Sequence, residues 1–357
     1  MNFAPQNISG ECHHHGARYC VFTVPKSLKE SKPDAYAPQH LGLGPYHHPP
    51  HPYIPKQFPL KLAVVEKYIA RPQELTKIRK MVEAALVRSD RLIRSCYDKY
   101  LDRDIKFLAW ILAIDGLFLL HFLINYSPNQ DPEMETLAPD ILMLENQIPV
   151  VLLRVIQDTL ESESCVPDDK YLLFDKFQVF CQNHSPLKLS NNPMIVRNVD
   201  KVHLLDHMYY SILNNVTTLG AISTQKNIPV LPVLLMSETG RVKFTLASGG
   251  IRAVKFDKEK KKFYLPVIRV NAASHVILRN LLAYEAALAK PGSTILELAQ
   301  YVDLMCRLVE NPEDVAILRK AEIIVSELRD EEVANFFNGL KRDKKKDLCA
   351  SFKKIKS

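Results

Sequence analysis

Residues 107–124, FLAWILAIDGLFLLHFLI, are apolar almost throughout, yet Asp115 stands at their centre. A helix of this length and character needs either a bilayer or a protein interior around it. An acid at the bilayer mid-plane costs about 2.5–3.5 kcal/mol on insertion scales, and Gly116 and His121 weaken a span further. The run therefore predicts a helix buried in protein, which in turn demands a core wide enough to surround it. A chain of 357 residues with 47% hydrophobic and 24% charged side chains can supply one.

The flanking sequence fits a helical body. LKLAVVEKYIARP (60–72) and ELTKIRKMVEAALVRSDRLIRSCYDKYL (74–101) carry apolar residues at intervals of three and four. Before them, residues 21–59 contain nine prolines, which forbid long helices and predict an extended arm on a surface-wrapping path. Beyond the apolar helix, Asp140 is placed to N-cap the segment DILMLENQIPVVLL (140–153), whose first part Pro149 should kink or end. Alternation in RVKFTLASGG and IRAVKFDKEKKKFYLPVIRV predicts strands, with DKEKKK as a charged turn. Four helical patterns follow, with caps such as Ser293 and Asn311.

The expected fold is mainly α with a small antiparallel β-sheet, an α+β class built as one large helical domain. Its expected layout is a disordered N-terminus (1–20), a domain (21–340) and a basic tail (341–357). Within the domain lie the proline-rich arm (21–59), a helical part (60–160), a β-hairpin (240–270) and a second helical part (274–340).

The formal charge of +7 sits mostly in the last seventeen residues, which hold eight Lys/Arg and two Asp and leave the other 340 near +1. A basic domain face for nucleic acid is therefore not expected. The tail can adhere weakly to anionic membrane, at about 1 kcal/mol per cation near the surface. Seven scattered cysteines without CxxC spacing read as reduced thiols, and the N-terminus lacks a secretory pattern. The expected location is cytoplasmic, with peripheral membrane contact through the tail.

Signatures of familiar enzymes are missing: there is no GxSxG, GxxxxGK[ST], HExxH or strand-linked GxGxxG. His13, His14, His15, His40, His47, His48 and His51 cluster in sequence, but neighbouring histidines in an arm rarely converge on a metal. No metal and no cofactor are expected. On a helical wheel Asp115 shares a face with Ile111, Phe118 and Phe122, and Glu145 with Ile141, Ile148 and Leu152. An acid on an apolar stripe must find a donor or a cation, or else take up a proton. Asp115 and Glu145 could thus form a general acid/base pair if their surroundings push their pKa values apart. More commonly such acids accept from backbone amides, and Asn146 and Gln147 beside Pro149 fit that architectural role.

The segments CVFTVPKSLKESKPDAYAPQHLGLGPYHH, IDGLFLLHFL, LMLENQIPVVLL, NIPVLPVL, RNLLAYEAA, PEDVAIL and VANFFNGL follow one another here in an order that resembles the plant "domain of unknown function 247" family. The resemblance runs from about Cys20 to Leu340 and rests on Pro25, Tyr36, Pro38, Gly44, Pro45, Tyr46, His47, His48, Asp115, Gly116, Leu144, Glu145, Asn146, Gln147, Ile148, Pro149, Asn280 and Glu285. It implies a plant protein, usually with one membrane anchor near the C-terminus, in a family with no catalytic residues to carry over. Some members in grasses are linked to self-incompatibility. Where the anchor would follow, this sequence ends KRDKKKDLCASFKKIKS, so a shortened or soluble member is expected.

Two functions follow. The favoured one is a recognition module with a protein partner, its binding positions taken from the motif residues Tyr46, His47, His48, Asn146, Gln147, Asn280 and Glu285. The other is a soluble enzyme or small-molecule binder of plant specialised metabolism, in which Asp115 and Glu145 move protons in a cyclase, isomerase or lyase reaction. A cavity of roughly 300–1,000 Å³ reached by one of the acids separates the second from the first.

Overall fold

The computed structural model describes residues 19–47, 59–63, 75–128, 132–162, 172–190, 203–215, 232–238, 241–289 and 296–340. After helix α1 (Lys26–Ser31) and a 3₁₀ turn at Pro33–Ala35, helical residues 59–63 precede α2 (Leu75–Arg88) and α3 (Asp90–Cys96). Then come α4 (Ile105–Asn125), α5 (Pro132–Ile141), α6 (Val150–Ser162), α7 (Leu172–His184), α8 (Leu204–Leu213) and α9 (Val233–Glu238). Strands β1 (Lys243–Leu246), β2 (Lys255–Asp257), β3 (Lys262–Leu265) and β4 (Ile268–Arg269) lead to α10 (Ser274–Leu288). The described chain closes with α11 (Glu297–Leu308), α12 (Pro312–Lys320), β5 (Ile324–Val325) and helical residues 330–340. The class is mainly α with a small sheet.

Helix α4 is the axis of the core. The Asp104 carboxylate accepts from the N–H of Lys106 at 2.8 Å and starts the helix. From there α2, α6 and α7 pack around it. Among the described residues it is the one helix long and apolar enough to cross a membrane, and 78% of its most apolar stretch is buried inside the protein. Gly116 sets the approach of α6, because a Cβ there would lie 2.2 Å from Ile156 Cδ1. Edge-on rings fix α7, with Phe122 and Tyr126 at 5.7 and 5.0 Å from Phe180.

Three expectations change. The described part of the arm, residues 21–47, does not simply wrap the surface: Val21, Val24, Ala35, Tyr36, Leu41 and Leu43 are buried. Its prolines prevent long helix but not burial, since side chains of the helical body satisfy its backbone. Pro149 does not kink a helix through LENQIP; it precedes α6, and its carbonyl accepts from Leu152 and Leu153. A missing N–H costs nothing at a helix start. Residues 142–147 are a turn, so Glu145 shares no helical face with Ile141 and Leu152.

The third change concerns the sheet, which is mixed rather than wholly antiparallel. Its order is β1–β3–β2, with β2 and β3 forming the antiparallel hairpin and β1 running parallel to β3. A second parallel pair joins β4 to β5. Asn311 caps α12 through a box closed by Asp314, while Ser293, the first eighteen residues and the basic tail lie outside the described residues.

Candidate functional site

The LENQIP turn is held by its own amides. Helix α5 ends at Ile141, leaving carbonyls without helical partners. The Gln147 amide donates to Ile141 O and Met143 O at 2.7 Å each, and the Asn146 amide donates to Asp140 O at 2.8 Å. Gln147 Oε1 accepts from Leu205 N at 3.1 Å, tying the turn to α8.

The same turn grips the arm. Glu145 accepts from Val24 N at 2.7 Å and from the Lys29 ammonium at 2.6 Å. Asn146 accepts from Leu43 N and donates to Leu41 O. Asp140, expected as an N-cap, instead sits in the last turn of α5 and accepts the N–H groups of Gln39, His40 and Leu41 at 3.1, 2.6 and 2.8 Å. Asp115 accepts from Gly44 N at 2.9 Å and pairs with Lys61, whose ammonium also reaches Gly42 O. Gly44 has φ +68, and a Cβ there would crowd the Gln147 carbonyl at 3.2 Å. From α10, Asn280 accepts from Leu144 N and donates to Ala35 O, both at 2.8 Å, joining turn, arm and helix.

A second buried polar group lies between α8, α10 and α11. Asp206 N donates to His203 Nδ1, so the ring proton is on Nε2, which donates to the Cys20 carbonyl at 2.9 Å. Burial pushes the His203 ring down to about 4 and keeps it neutral. Tyr284 donates to Asp206, and burial beside that acid raises the phenol well above its ordinary value. Glu285 belongs here and not to the turn. It accepts from Tyr209 Oη and from Leu298 N and Ala299 N, at the start of α11. Burial holds its carboxyl above the ordinary range, and those two N–H groups only partly oppose the rise.

The structure thus gathers Asp115, Glu145, Asn146, Gln147 and Asn280 around the arm and sets Glu285 apart. Tyr46 lies nearby, donating to Asp98 at 2.8 Å and accepting from Lys99 N. His47 is half-buried at the end of the same segment, and His48 lies outside the described residues. Among the described residues no three His, Cys, Asp or Glu side chains converge as metal ligands. Sequence reasoning missed Lys61, His203 and Asp206, and gave Asp140 a different role. Lys61 had a signal, a lone cation in LKLAVV available to answer a buried acid, and the HLLD start of α8 had the spacing of a histidine cap.

Chemically, these acids are occupied by donors. Two cavities stand out: one of about 560 Å³ beside Met81, Ala85, Arg88 and Asp158, and one of about 370 Å³ beside Val179, Asn183, Lys188 and Arg269. Asp115 and Glu145 line neither.

Comparison with known proteins agrees with the sequence motifs. The family model described as "DUF247: Plant protein of unknown function" matches residues 21–357. The UPF0481 protein At3g02645 of Arabidopsis thaliana is 27% identical over 423 aligned residues, covering 90% of this chain and 78% of that protein. The UPF0481 protein At3g47200, from the same plant, is 24% identical over 365 residues, covering 91% of this chain and 72% of its own length. No solved structure matches.

Proposed function

From the premise that this chain belongs to the DUF247 family of plant proteins of unknown function, we propose that it is a recognition module that binds a protein partner, and not an enzyme built on its embedded acids. The observation that carries this reading is the full occupation of those acids. Glu145 holds Val24 and Lys29, Asp140 holds three arm amides, and Asp115 holds Gly44 and Lys61. A general acid or base needs a proton path to a substrate, and neither Asp115 nor Glu145 reaches the two cavities. Their work is to fix an irregular, proline-rich arm against a helical body, which presents loops rigidly enough to be recognised.

The test is a comparison of wild type and Glu145→Gln in a plant lacking the protein. Recognition predicts a partner captured in fixed stoichiometry by wild type, with an unchanged metabolite profile in the knockout. A metabolite that accumulates in the knockout, and is cleared by wild type but not by an equally stable Glu145→Gln protein, would establish the acid/base enzyme instead.

A further inference from the structure

The near-neutral charge of the first 340 residues hides a local concentration. Between positions 241 and 262, Arg241, Lys243, Lys255, Lys258, Lys260, Lys261 and Lys262 stand against two acids, Asp257 and Glu259. Arg252, in the same stretch, is engaged elsewhere by Glu297 at 2.6 Å. Of the seven, all but Lys262 are exposed, and among the described residues the one counter-ion contact is Lys260 with Asp257 at 3.9 Å.

Three unfavourable choices meet at one end of this sheet. The parallel register sets Lys243 directly beside Lys262, a like-charge neighbour pair that weakens strand pairing. Lys261 has φ +50 and Arg241 φ +52, the left-handed region in which glycine or asparagine costs less. These two cations enter adjacent strands, and Lys243 N donates to Lys261 O at 2.8 Å. Strain and like charge concentrated in exposed positions point to a purpose outside the fold.

The sheet also offers an edge. Lys243 N and Ala247 N point to β3, so the backbone groups of Phe244 and Leu246 point away from it. Among the described residues no strand pairs with that outer edge of β1, where Val242 N, just before the strand, donates to Met236 O at 3.1 Å and Leu246, further along, is 42% exposed. Deepening the recognition reading and resting on it, we propose that this end of the sheet binds an acidic, extended segment of the protein partner. Its main chain adds along β1, and its carboxylates meet Arg241, Lys243, Lys261 and Lys262. A peptide fits better than a bilayer or a nucleic acid. Only a peptide can use the β1 edge, and Asp257 and Glu259, interleaved with the lysines, repel a continuous run of phosphates.

The test is fluorescence anisotropy of a labelled peptide of alternating Glu and Val with the full chain. Its comparators are a sheet variant (Lys243→Gln, Lys261→Gln, Lys262→Gln) and a tail variant (Lys344→Gln, Lys345→Gln, Lys346→Gln), each shown to melt like wild type. Wild type and the tail variant are expected to bind, and the sheet variant to bind about tenfold more weakly. Failure of wild type to bind, equal binding by the sheet variant, or sheet-dependent binding only to phosphatidylserine vesicles or oligothymidylate would each overturn the proposal. If the sheet variant captures the natural partner as well as wild type does, this surface is wrong and the recognition reading stands; if wild type captures none, the recognition reading itself fails.

Discussion

Two charged regions of this protein face opposite ways. At the 142–147 turn, Asp115, Asp140 and Glu145 point inward, and each is met by N–H groups or an ammonium. At the sheet, six of the seven cations are exposed, with one loose internal partner. The difference is one of dielectric. A buried polar group left unanswered costs its full desolvation, so every residue around it is specified by the rest. A solvated charge is answered by water, so its identity is open to selection by something outside the chain.

The contrast predicts an ordering of mutational effects, and the largest lies at Asp115. Lys61 and Asp115 are each 1% exposed, so Asp115→Ala strands an ammonium in the core and should cost about 3–5 kcal/mol in urea unfolding. A loss below about 1 kcal/mol would show that the pair is wet and that the inward region is no different from the sheet.

The inward network should also be acid-sensitive at His203. Its folded value is lowered to about 4 from 6.5, so the unfolded chain binds the proton more readily. The contribution to stability is present above pH 6.5 and is lost as pH falls toward 4, by roughly 3 kcal/mol at about 1.4 kcal/mol per unit. His184 is also lowered to about 4, so the informative quantity is the difference from His203→Asn. That variant can keep the cap without titrating, and its stability should fall less between those pH values. Identical pH profiles would remove His203 from the account.

Asn146 and Asn280 come next. Asn146→Ala leaves Leu43 N and Leu41 O unpaired, and Asn280→Ala does the same for Leu144 N and Ala35 O. Each should lower stability by roughly 2–3 kcal/mol in chemical denaturation. Thermal melts within a degree of wild type would mean that water replaces the amides and that the arm is only loosely held.

How much of this was legible depends on whether the cause was local. The run around Asp115 declared its burial because no solvent suits it except protein. The polarity of Glu145, Asn146 and Gln147 marked an anchoring role, but not what they anchor. Val24 and Leu43 lie over a hundred residues away from them, and hydrogen bonds of that separation leave no periodicity. In the described part of the arm, residues 21–47, the helices are short, as proline content predicts, yet that content says nothing about burial once other side chains supply the donors and acceptors. The parallel placement of β1 was hidden for a similar reason. Alternation marks a strand but not its direction, and the nearby hairpin suggested the simpler pairing. DKEKKK was legible as a charged turn, but only the register puts Lys243 beside Lys262.

The smallest stability effects belong to those cations, and their sign is the most revealing. Lys243→Gln and Lys262→Gln together should change stability by no more than about 0.5 kcal/mol, because Lys243 is exposed, Lys262 is only half-buried, and their mutual repulsion disappears. Lys261→Gly relieves a left-handed residue of its Cβ strain but adds chain entropy to the unfolded state. The two terms are of similar size, so the variant should be between equal to wild type and about 1 kcal/mol more stable. If it also binds the Glu-Val peptide less well, then position 261 trades stability for a surface charge, as no position in the inward network does. A clear loss of stability on Lys261→Gly would mean that the Lys261 side chain supports the fold, and the division between inward and outward charge would fail at the residue where it is sharpest.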